Sequence, residues 1–207
     1  MQNDFIPFTV YDREHPGLDR LAGSAKKFGW PLQLHQVPQK KYFLSEKHLL
    51  IRSFLEEHPV KCFLFVDAFD TVFIRKYHGP YFPDVLLGFV GEKNCYPRKE
   101  YTCIFKERAD GPFPYLNSGI IWGDPEYYLA ACPEEFIHDQ LAWTRAAVED
   151  HNIFIDSFGG PGINLHSTEP DDWSYSGGLW TYRPTMATPY VIHGNGNWPL
   201  PAWAEPT

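Results

Sequence analysis

The chain has 207 residues, of which 43% are hydrophobic, 17% aromatic and 21% charged, a balance typical of one globular domain with a sizeable core. Its formal net charge of -8 disfavours a nucleic-acid-binding protein, because such proteins usually present a basic face to the phosphate backbone. No apolar run approaches the roughly 20 residues that span a bilayer, and the first residues do not resemble a signal peptide, so we expect a cytoplasmic protein without a membrane segment.

The first third of the chain alternates apolar runs of strand length with amphipathic stretches of helical length. Gly29 and Pro59 each follow a helical stretch and end it, and Ser45 has the hydroxyl of a helix N-cap. The predicted elements are strands at 6–11, 31–36 and 61–66 and helices at 18–28 and from Ser45 to about His58. This alternation predicts an α/β fold with right-handed crossovers, a mostly parallel central sheet and flanking helices.

The second half of the chain shows shorter and less regular patterns. The predicted elements there are strands at 85–90, 101–106, 118–122, 152–156 and 189–192 and helices near 125–132 and 134–149. Residues 159–180 are rich in Gly, Asp, Ser and Trp and are predicted to be irregular, whereas the Pro-rich residues 198–207 are predicted to be extended. No repeat or linker divides the chain, so we predict a single domain over residues 1–207.

Two carboxylates, Asp67 and Asp70, come directly after the third predicted strand, whose apolar sequence indicates burial on both faces. Open α/β sheets bind ligands outside the carboxyl ends of their strands, and Mg²⁺ or Mn²⁺ prefers carboxylate oxygens together with substrate phosphates. A bare Asp-x-x-Asp spacing is more typical of a turn with solvated carboxylates. The position after a buried strand gives the metal site and the simple turn equal weight.

A glycine-rich segment, HGNG at residues 193–196, follows the last predicted strand. Glycine lets the backbone approach a phosphate closely, and a neutral imidazole is a frequent ligand of Mn²⁺. Alone, the segment is more typical of an Asn-Gly turn with a histidine at the surface. Together with Asp67 and Asp70, His193 would complete a set of three metal ligands.

Other polar side chains stand beside apolar runs. Asn117 precedes a predicted strand, where it could bind sugar hydroxyls or form an ordinary turn. Asp139 and Gln140 lie on a predicted helix, where the carboxylate could orient or deprotonate an acceptor hydroxyl, or where both could be exposed at a helix end. Glu92 follows an apolar run and could face the same cleft.

Six segments occur here in the order found in a known family: FVDAFDTVF, GEKNCYP, YLNSGIIWG, HDQ, NIFIDS and HGNG. Over residues 43–197 the chain therefore resembles the glycosyltransferase domain of procollagen lysyl hydroxylases and the related collagen-type galactosyl- and glucosyltransferases. The resemblance implies a GT-A-type, Rossmann-like fold, a UDP-sugar donor and Mn²⁺, or Mg²⁺ in its place.

The resemblance also implies a nucleotide-binding half at residues 1–75. Its metal ligands match Asp67, Asp70 and His193. In a transfer of this kind, several residues are expected to contact the nucleotide or its diphosphate. They are Val10, Tyr11 and Asp12 at the end of the first strand, Lys47, Phe69 in place of a family Tyr, and Gly194, Asn195 and Gly196.

Residues 76–197 would form the sugar and acceptor half, with Asn117, Glu92 and Asp139 as the residues that address the sugar and the acceptor hydroxyl. We therefore expect a Mn²⁺-dependent transfer of a hexose from a UDP-sugar to a hydroxyl acceptor. His138 stands where the family has a second Asp, so one carboxylate near the acceptor is absent. No hydroxylase domain or secretory signal accompanies these motifs, and an acceptor other than collagen is expected.

Three other functions fit parts of the pattern. A metal-dependent hydrolase would cleave the nucleotide sugar with water, and a sugar-binding module weakened in catalysis would keep the fold without turnover. A transferase acting on nucleic-acid bases would need a basic channel, for which the available side chains are Lys26, Lys27, Lys40 and Lys41. The donor sugar, the acceptor, the stereochemical course and the oligomeric state are not indicated by the sequence.

Overall fold

A computed structural model of the protein describes residues 4–40, 43–79, 82 and 85–204. Its strands are β1 (Phe5–Tyr11), β2 (Gln33–Gln36), β3 (Cys62–Val66), β4 (Thr71–Phe73), β5 (Leu87–Glu92), β6 (Tyr115–Gly123), β7 (Ile153–Asp156), β8 (Gly162–Asn164), β9 (Trp173–Ser176), β10 (Leu179–Tyr182) and β11 (Val191–His193). Its α-helices are α1 (Pro16–Phe28), α2 (Phe43–Glu57), α3 (Thr102–Arg108), α4 (Pro125–Ala131) and α5 (Asp139–Glu149).

The largest sheet has six strands in the order β2-β1-β3-β6-β5-β7. Strand β6 is antiparallel to both of its neighbours, β3 and β5, and the remaining pairs in this sheet are parallel. Helices pack on both faces of the sheet. This arrangement confirms the predicted α/β fold with a mostly parallel central sheet.

Strand β3 is buried on both faces, as its apolar sequence predicts. Phe63 and Phe65 belong to a core that includes residues of α2, α4 and α5, whereas Leu64 and Val66 belong to a second core that includes residues of α1. Because successive side chains of a strand point to opposite faces, β3 packs against helices on both of its faces. This packing fixes the position of the next residue, Asp67, at the carboxyl end of the strand.

A smaller sheet of three strands, in the order β4-β11-β8, lies beside the large one. Its central strand β11 is antiparallel to β4 and parallel to β8, so that His193 pairs with both Thr71 and Asn164. Its apolar side chains share a core with Trp173 and Tyr182 of the hairpin formed by β9 and β10. The pairing brings three distant segments of the chain to one end of this sheet.

The strand predicted at residues 101–106 is wrong, because this segment belongs to a 3-10 turn at Lys99–Tyr101 and to helix α3. Tyr, Thr, Cys, Ile and Phe favour strands, but tertiary packing overrides that preference here. Phe105 is buried and Tyr101, one helical turn before it, packs against the same core, so the segment buries one face at helical spacing.

The prediction that residues 159–180 are irregular is also wrong, because they contain β8, β9 and the start of β10. Gly177 and Gly178 connect β9 to β10 and have φ angles of 58° and 82°. Two consecutive residues with positive φ are required by the tight hairpin turn that matches strand twist, and Gly-Gly is one of its typical sequences. The Gly-Gly pair is therefore a local signal for this hairpin.

The remaining differences concern element boundaries. Helix α5 begins at Asp139 rather than at residue 134, because the exposed Glu134, Glu135 and Phe136 offer no apolar face to bury. Ser45 lies inside α2 and is not its cap. Strand β4 was not predicted, since three residues are too few to show a period.

The tail predicted as extended includes a 3-10 turn at Ala202–Ala204, and residues 205–207 lie outside the described residues, as does Lys41. Within the ranges that the structure describes, the helices are too short or too polar to cross a membrane.

Candidate metal centre and its two adjoining cavities

Asp67, Asp70 and His193 converge at the carboxyl end of β3. Each offers one ligand atom, and these atoms all lie within 4.8 Å of one another. Nε2 of His193 is 3.2 Å from Oδ1 of Asp70 and 3.5 Å from Oδ2 of Asp67. Two carboxylates and an imidazole at this spacing are a ligand set that suits Mn²⁺ or Mg²⁺, with further positions left for substrate oxygens.

The turn that carries the two aspartates is held by backbone contacts. The amide N–H of Asp67 donates to the carbonyl of Gly119 at 2.8 Å, and the amide N–H of Gly194 donates to the carbonyl of Asp70 at 2.7 Å. Helix α1 packs so closely on the turn that a Cβ atom on Gly17 would lie 1.8 Å from the carbonyl oxygen of Phe69. Only glycine fits at that position, so Gly17 contributes to the shape of the site without contacting a ligand.

Asn164 sets the orientation of the His193 ring. Its side-chain N–H₂ donates to the carbonyls of Val90 at 3.1 Å and Gly91 at 2.9 Å, which leaves its Oδ1 as an acceptor. That oxygen is 2.7 Å from Nδ1 of His193. In the neutral ring, Nδ1 therefore carries the proton and the lone pair of Nε2 points toward the two carboxylates, as a metal ligand requires.

A buried lysine joins the metal ligands to a third carboxylate. Nζ of Lys47 lies 2.8 Å from Oδ1 of Asp67 and 3.0 Å from Oδ2 of Asp139, and the side chains of Lys47 and Asp139 are almost completely buried. The contact with Asp139 is an ion pair without hydrogen-bond geometry, and neither oxygen of Asp139 has a hydrogen-bond partner among the described residues. With Asp70, three carboxylates face one ammonium group, which leaves a net negative site for a cation.

The ionisable groups of the centre influence one another. Burial raises the pKa of Asp67, and Lys47 and His193 oppose this only in part. Burial also acts on Asp70, but His193 brings the pKa of that carboxyl below its ordinary value. Burial would lower the pKa of His193, yet Asp70 and Asp67 raise it overall. A divalent cation would compete with the proton that the imidazole holds between the two aspartates.

Glu92, at the end of β5, is buried and held at both oxygens. Gln140 Nε2 donates to its Oε1, and Asn195 Nδ2 donates to its Oε2 at 2.8 Å. Gln140 also accepts from Nδ2 of Asn117 at 3.4 Å, so these four polar residues form one network. Burial raises the pKa of Glu92 to about 7, against the opposing effect of its hydrogen bonds from Gln140 and Asn117.

Two cavities meet at the aspartate pair. The larger has a volume of about 830 Å³ and the smaller about 420 Å³, and Asp67 and Asp70 line both. Basic and aromatic side chains of the larger one include Arg13, His15, Arg20, Lys40, Phe69 and Trp198. Polar side chains of the smaller one include Glu92, Asn117, His138, Asp139, His166 and Asn195. The metal ligands therefore lie on the boundary between a basic cavity and a polar one.

Val10, Tyr11 and Asp12, which the sequence placed at the nucleotide, do not line the larger cavity. Val10 points into the core because of the alternation of β1, the carbonyl of Tyr11 accepts from the amide of Val37 at 2.9 Å, and Oδ2 of Asp12 accepts from the amide of Lys40 at 3.1 Å.

The residues that follow β1 reach the cavity instead. The ring centroids of His15 and Phe69 are 4.6 Å apart, and the Arg13 guanidinium lies 5.1 Å from the Phe69 centroid. The other nucleotide-site candidates lie at the cavities: Gly194 lines the larger one, and Lys47, Asn195 and Gly196 line the smaller one.

Several residues of the site were missed by the sequence analysis. Gly17 lies against the backbone of Phe69, Gly119 lies against the ring of His193, and Asn164 forms a hydrogen bond with that ring; none of these effects has a local sequence pattern. His166 lies in the segment that was predicted to be irregular, and its place on the cavity wall depends on β8.

No protein-family model matches the chain, and no curated protein sequence matches it either. Among solved structures, the chain is similar to a glycosyltransferase involved in the glycosylation of the major capsid of PBCV-1. The two chains are 12% identical, the match covers 93% of each, and the TM-score is 0.58. This likeness shows that the chain has a glycosyltransferase fold, the α/β architecture of GT-A type that was predicted. It does not extend to the collagen-type family that the motifs resemble.

Proposed function

We propose that the protein is a glycosyltransferase that uses a divalent cation to transfer a hexose from a UDP-sugar to a hydroxyl acceptor. The observation that carries the proposal is the position of Asp67, Asp70 and His193 on the boundary between a basic cavity and a polar cavity. A nucleotide sugar has the same division, with an anionic diphosphate between an aromatic base and a polyhydroxyl ring. The glycosyltransferase fold supports the same assignment.

Asp67, Asp70 and His193 would hold Mn²⁺ or Mg²⁺. When bound, the cation supplies charge neutralisation for the diphosphate and the departing nucleotide. The structure fits such an ion in two respects: the cluster around Lys47 has an excess of carboxylates, and Asn164 fixes the tautomer of His193 that leaves Nε2 free to coordinate.

The nucleotide would occupy the larger cavity, built mainly from residues 1–75. Phe69 offers its ring for the base beside His15, and Arg13, Arg20 and Lys40 supply positive charge for the diphosphate. The backbone at Gly194 closes the cavity beside the metal ligands, with Asn195 and Gly196 on the sugar side. Lys47 is bound to Asp67 and Asp139, so we assign it to holding these carboxylates and not to the phosphates.

The hexose and the acceptor would meet in the smaller cavity, built mainly from residues 76–197. Asn117 and Glu92 present fixed polar groups to a sugar ring. Asp139 has a buried carboxylate whose Oδ2 is ion-paired with Lys47 at 3.0 Å, and neither of its oxygens has a hydrogen-bond partner in the part of the chain that is described, so its Oδ1 would accept a hydrogen bond or a proton from the acceptor hydroxyl. His138 lines the same cavity in place of the family's additional Asp.

The proposal is tested by calorimetry of UDP binding with and without Mn²⁺. We expect binding to require Mn²⁺ and Asp70→Ala to abolish the dependence on the metal. Asp110→Ala, which changes an exposed aspartate away from both cavities, is the matched control. Equal affinity with and without Mn²⁺, or no effect of Asp70→Ala, would contradict the metal role.

A mass-spectrometric screen of UDP-sugars with Mn²⁺ then separates transfer from its alternatives. Transfer requires that UDP release accelerates when a suitable acceptor is added. Free sugar released at one rate with or without acceptors would indicate a hydrolase, and UDP-sugar binding without turnover would indicate a sugar-binding module.

A further inference from the structure

His166 lies on the wall of the smaller cavity and is not one of the metal ligands or proposed catalytic residues. It directly follows Leu165, whose amide donates to the carbonyl of His193 at 2.8 Å. Its ring packs edge-on against Trp198, with centroids 5.2 Å apart, and Trp198 lines the larger cavity. His166 therefore lies where the two cavities meet.

The His166 ring is held in one orientation by its neighbours. Asn94 Nδ2 donates to Nδ1 of His166 and also to Oγ of Ser167 at 3.2 Å. The hydroxyl of Ser167 lies a further 3.2 Å from the same Nδ1. Since Nδ1 accepts, the proton of the neutral ring is on Nε2. Among the residues that the structure describes, Nε2 has no hydrogen-bond partner, so it presents a free donor.

The backbone at this point is unusual and well anchored. Ser167 has a φ angle of 65°, a left-handed conformation that non-glycine residues seldom adopt. Lys93 Nζ donates to the carbonyl of Ser167 at 2.7 Å, and the amide of His166 donates to Oδ1 of Asn195 at 2.9 Å. These contacts hold the strained backbone of Ser167 and the neighbouring His166 in place, so the imidazole is fixed.

Asn195 also joins His166 to Glu92, because its Nδ2 donates to Oε2 of that carboxylate. One wall of the cavity thus combines a fixed donor, Nε2 of His166, with a carboxylate acceptor. A sugar hydroxyl both donates and accepts hydrogen bonds, so neighbouring hydroxyls of one ring match such a wall.

We infer that His166 is a specificity-determining residue that donates a hydrogen bond from Nε2 to a hydroxyl oxygen of the hexose being transferred. The inference rests on the proposed function. It assigns His166 to the donor sugar and not to the acceptor, because Trp198 connects the ring to the cavity of the nucleotide. Discrimination follows because a site that hydrogen-bonds one hydroxyl loses that bond with an epimer whose hydroxyl points elsewhere.

The test is calorimetry in the presence of Mn²⁺ with three probes: UDP, UDP-glucose and UDP-galactose. In the wild type we expect one UDP-hexose to bind more tightly than the other. His166→Ala and His166→Phe should lower the affinity for that UDP-hexose about 3- to 10-fold and leave the affinity for UDP unchanged. The Phe variant keeps a ring against Trp198, so it removes the donor with less disturbance of packing. His166→Gln restores a side-chain donor and should recover part of the loss.

His78→Ala changes an exposed histidine outside both cavities and is the matched control. An equal loss of affinity for UDP and for the UDP-hexose in the His166 variants would mean a structural role and overturn the inference. The inference is likewise overturned if the variants bind the UDP-hexose with wild-type affinity, or if the wild type binds UDP-glucose and UDP-galactose equally well. Failure of the wild type to bind UDP with Mn²⁺ is a different result, since it removes the proposed function itself.

Discussion

Gly119 lies so close to the ring of His193 that a Cβ atom on Gly119 would be 2.1 Å from Cε1 of the imidazole. The same glycine accepts the hydrogen bond from the amide of Asp67. Strand β6 therefore leaves space for one proposed metal ligand and holds the turn of another, without providing a ligand itself.

Gly119→Ala should displace His193 and lower the affinity for Mn²⁺ about 10-fold or more, because a methyl group cannot share the space of the ring. Titration with Mn²⁺ monitored by calorimetry measures the change. Gly160→Ala is the control, since its added methyl would meet only Oδ2 of Asp156, at 3.8 Å. A Gly119→Ala protein with wild-type affinity would show that His193 is not needed for the metal.

Asn164→Leu removes the acceptor for Nδ1–H of His193 and should lower the affinity for Mn²⁺ about 10- to 100-fold, a range typical for partners of metal-bound histidines. Asn152→Leu makes the same change at an exposed site and should bind the metal normally. Similar affinities for the two variants would mean that Asn164 does not orient the ring.

Lys47→Met should lower the free energy of unfolding by about 3–5 kcal/mol at neutral pH, because it leaves the buried carboxylate of Asp139 without its cation. The double variant Lys47→Met/Asp139→Asn should regain part of the loss, since Asp139 is then uncharged, whereas Asp67 has lost Lys47 and retains His193 beside it. Urea unfolding measures both, and Lys106→Met on the exposed face of α3 is the control. If the single variant is as stable as the wild type, the ion pair does not stabilise the fold.

Glu92 should make the protein less stable as the pH rises. Its pKa is raised from 4.5 to about 7 in the folded chain, so between these values the folded state keeps a proton that the unfolded state has released. The free energy of unfolding contributed by this group is therefore present below pH 4.5 and is lost as the pH rises toward 7, by roughly 3 kcal/mol in all.

Urea unfolding of the wild type and of Glu92→Gln at several pH values between 4.5 and 8 checks this. Subtracting the two curves isolates Glu92 from the other titrating groups, and we expect the wild type to lose stability relative to the variant as the pH rises. Glu126→Gln, at an exposed position, should follow the wild type. Parallel curves for the wild type and Glu92→Gln would rule out a raised pKa for Glu92.

The part of the fold that carries Asp67 and Asp70 could be predicted because its sequence signals are local. An apolar run indicated β3, and Asp67 at its end needed only the rule that ligands bind beyond the carboxyl ends of strands. His193 could be predicted as a ligand because it follows a strand and precedes a glycine-rich segment. Spacing alone could not show that Asp67, Asp70 and His193 lie within reach of one another. That part of the prediction depended on the resemblance to a known family.

The rest of the site depends on contacts between segments far apart in the chain. Asn164 was hidden because β8 has only three residues, and the need for glycine at 17 and 119 arises from atoms of Phe69 and His193. Val10 was placed at the nucleotide because it lies at the end of β1, but the alternation of that strand turns it into the core. Strand ends indicate where a site lies, and the side chains that reach it are decided by packing.

The order of strands in the small sheet has a consequence for how the protein is made. Strands β4 and β8 each pair with β11 and not with each other. During synthesis, Asp67, Asp70 and Asn164 leave the ribosome well before residues 191–193, and the strand that joins their segments arrives last. The cation site is therefore completed only once β11 has been synthesised, so a chain that ends before β11 lacks both the imidazole and the strand that unites the small sheet.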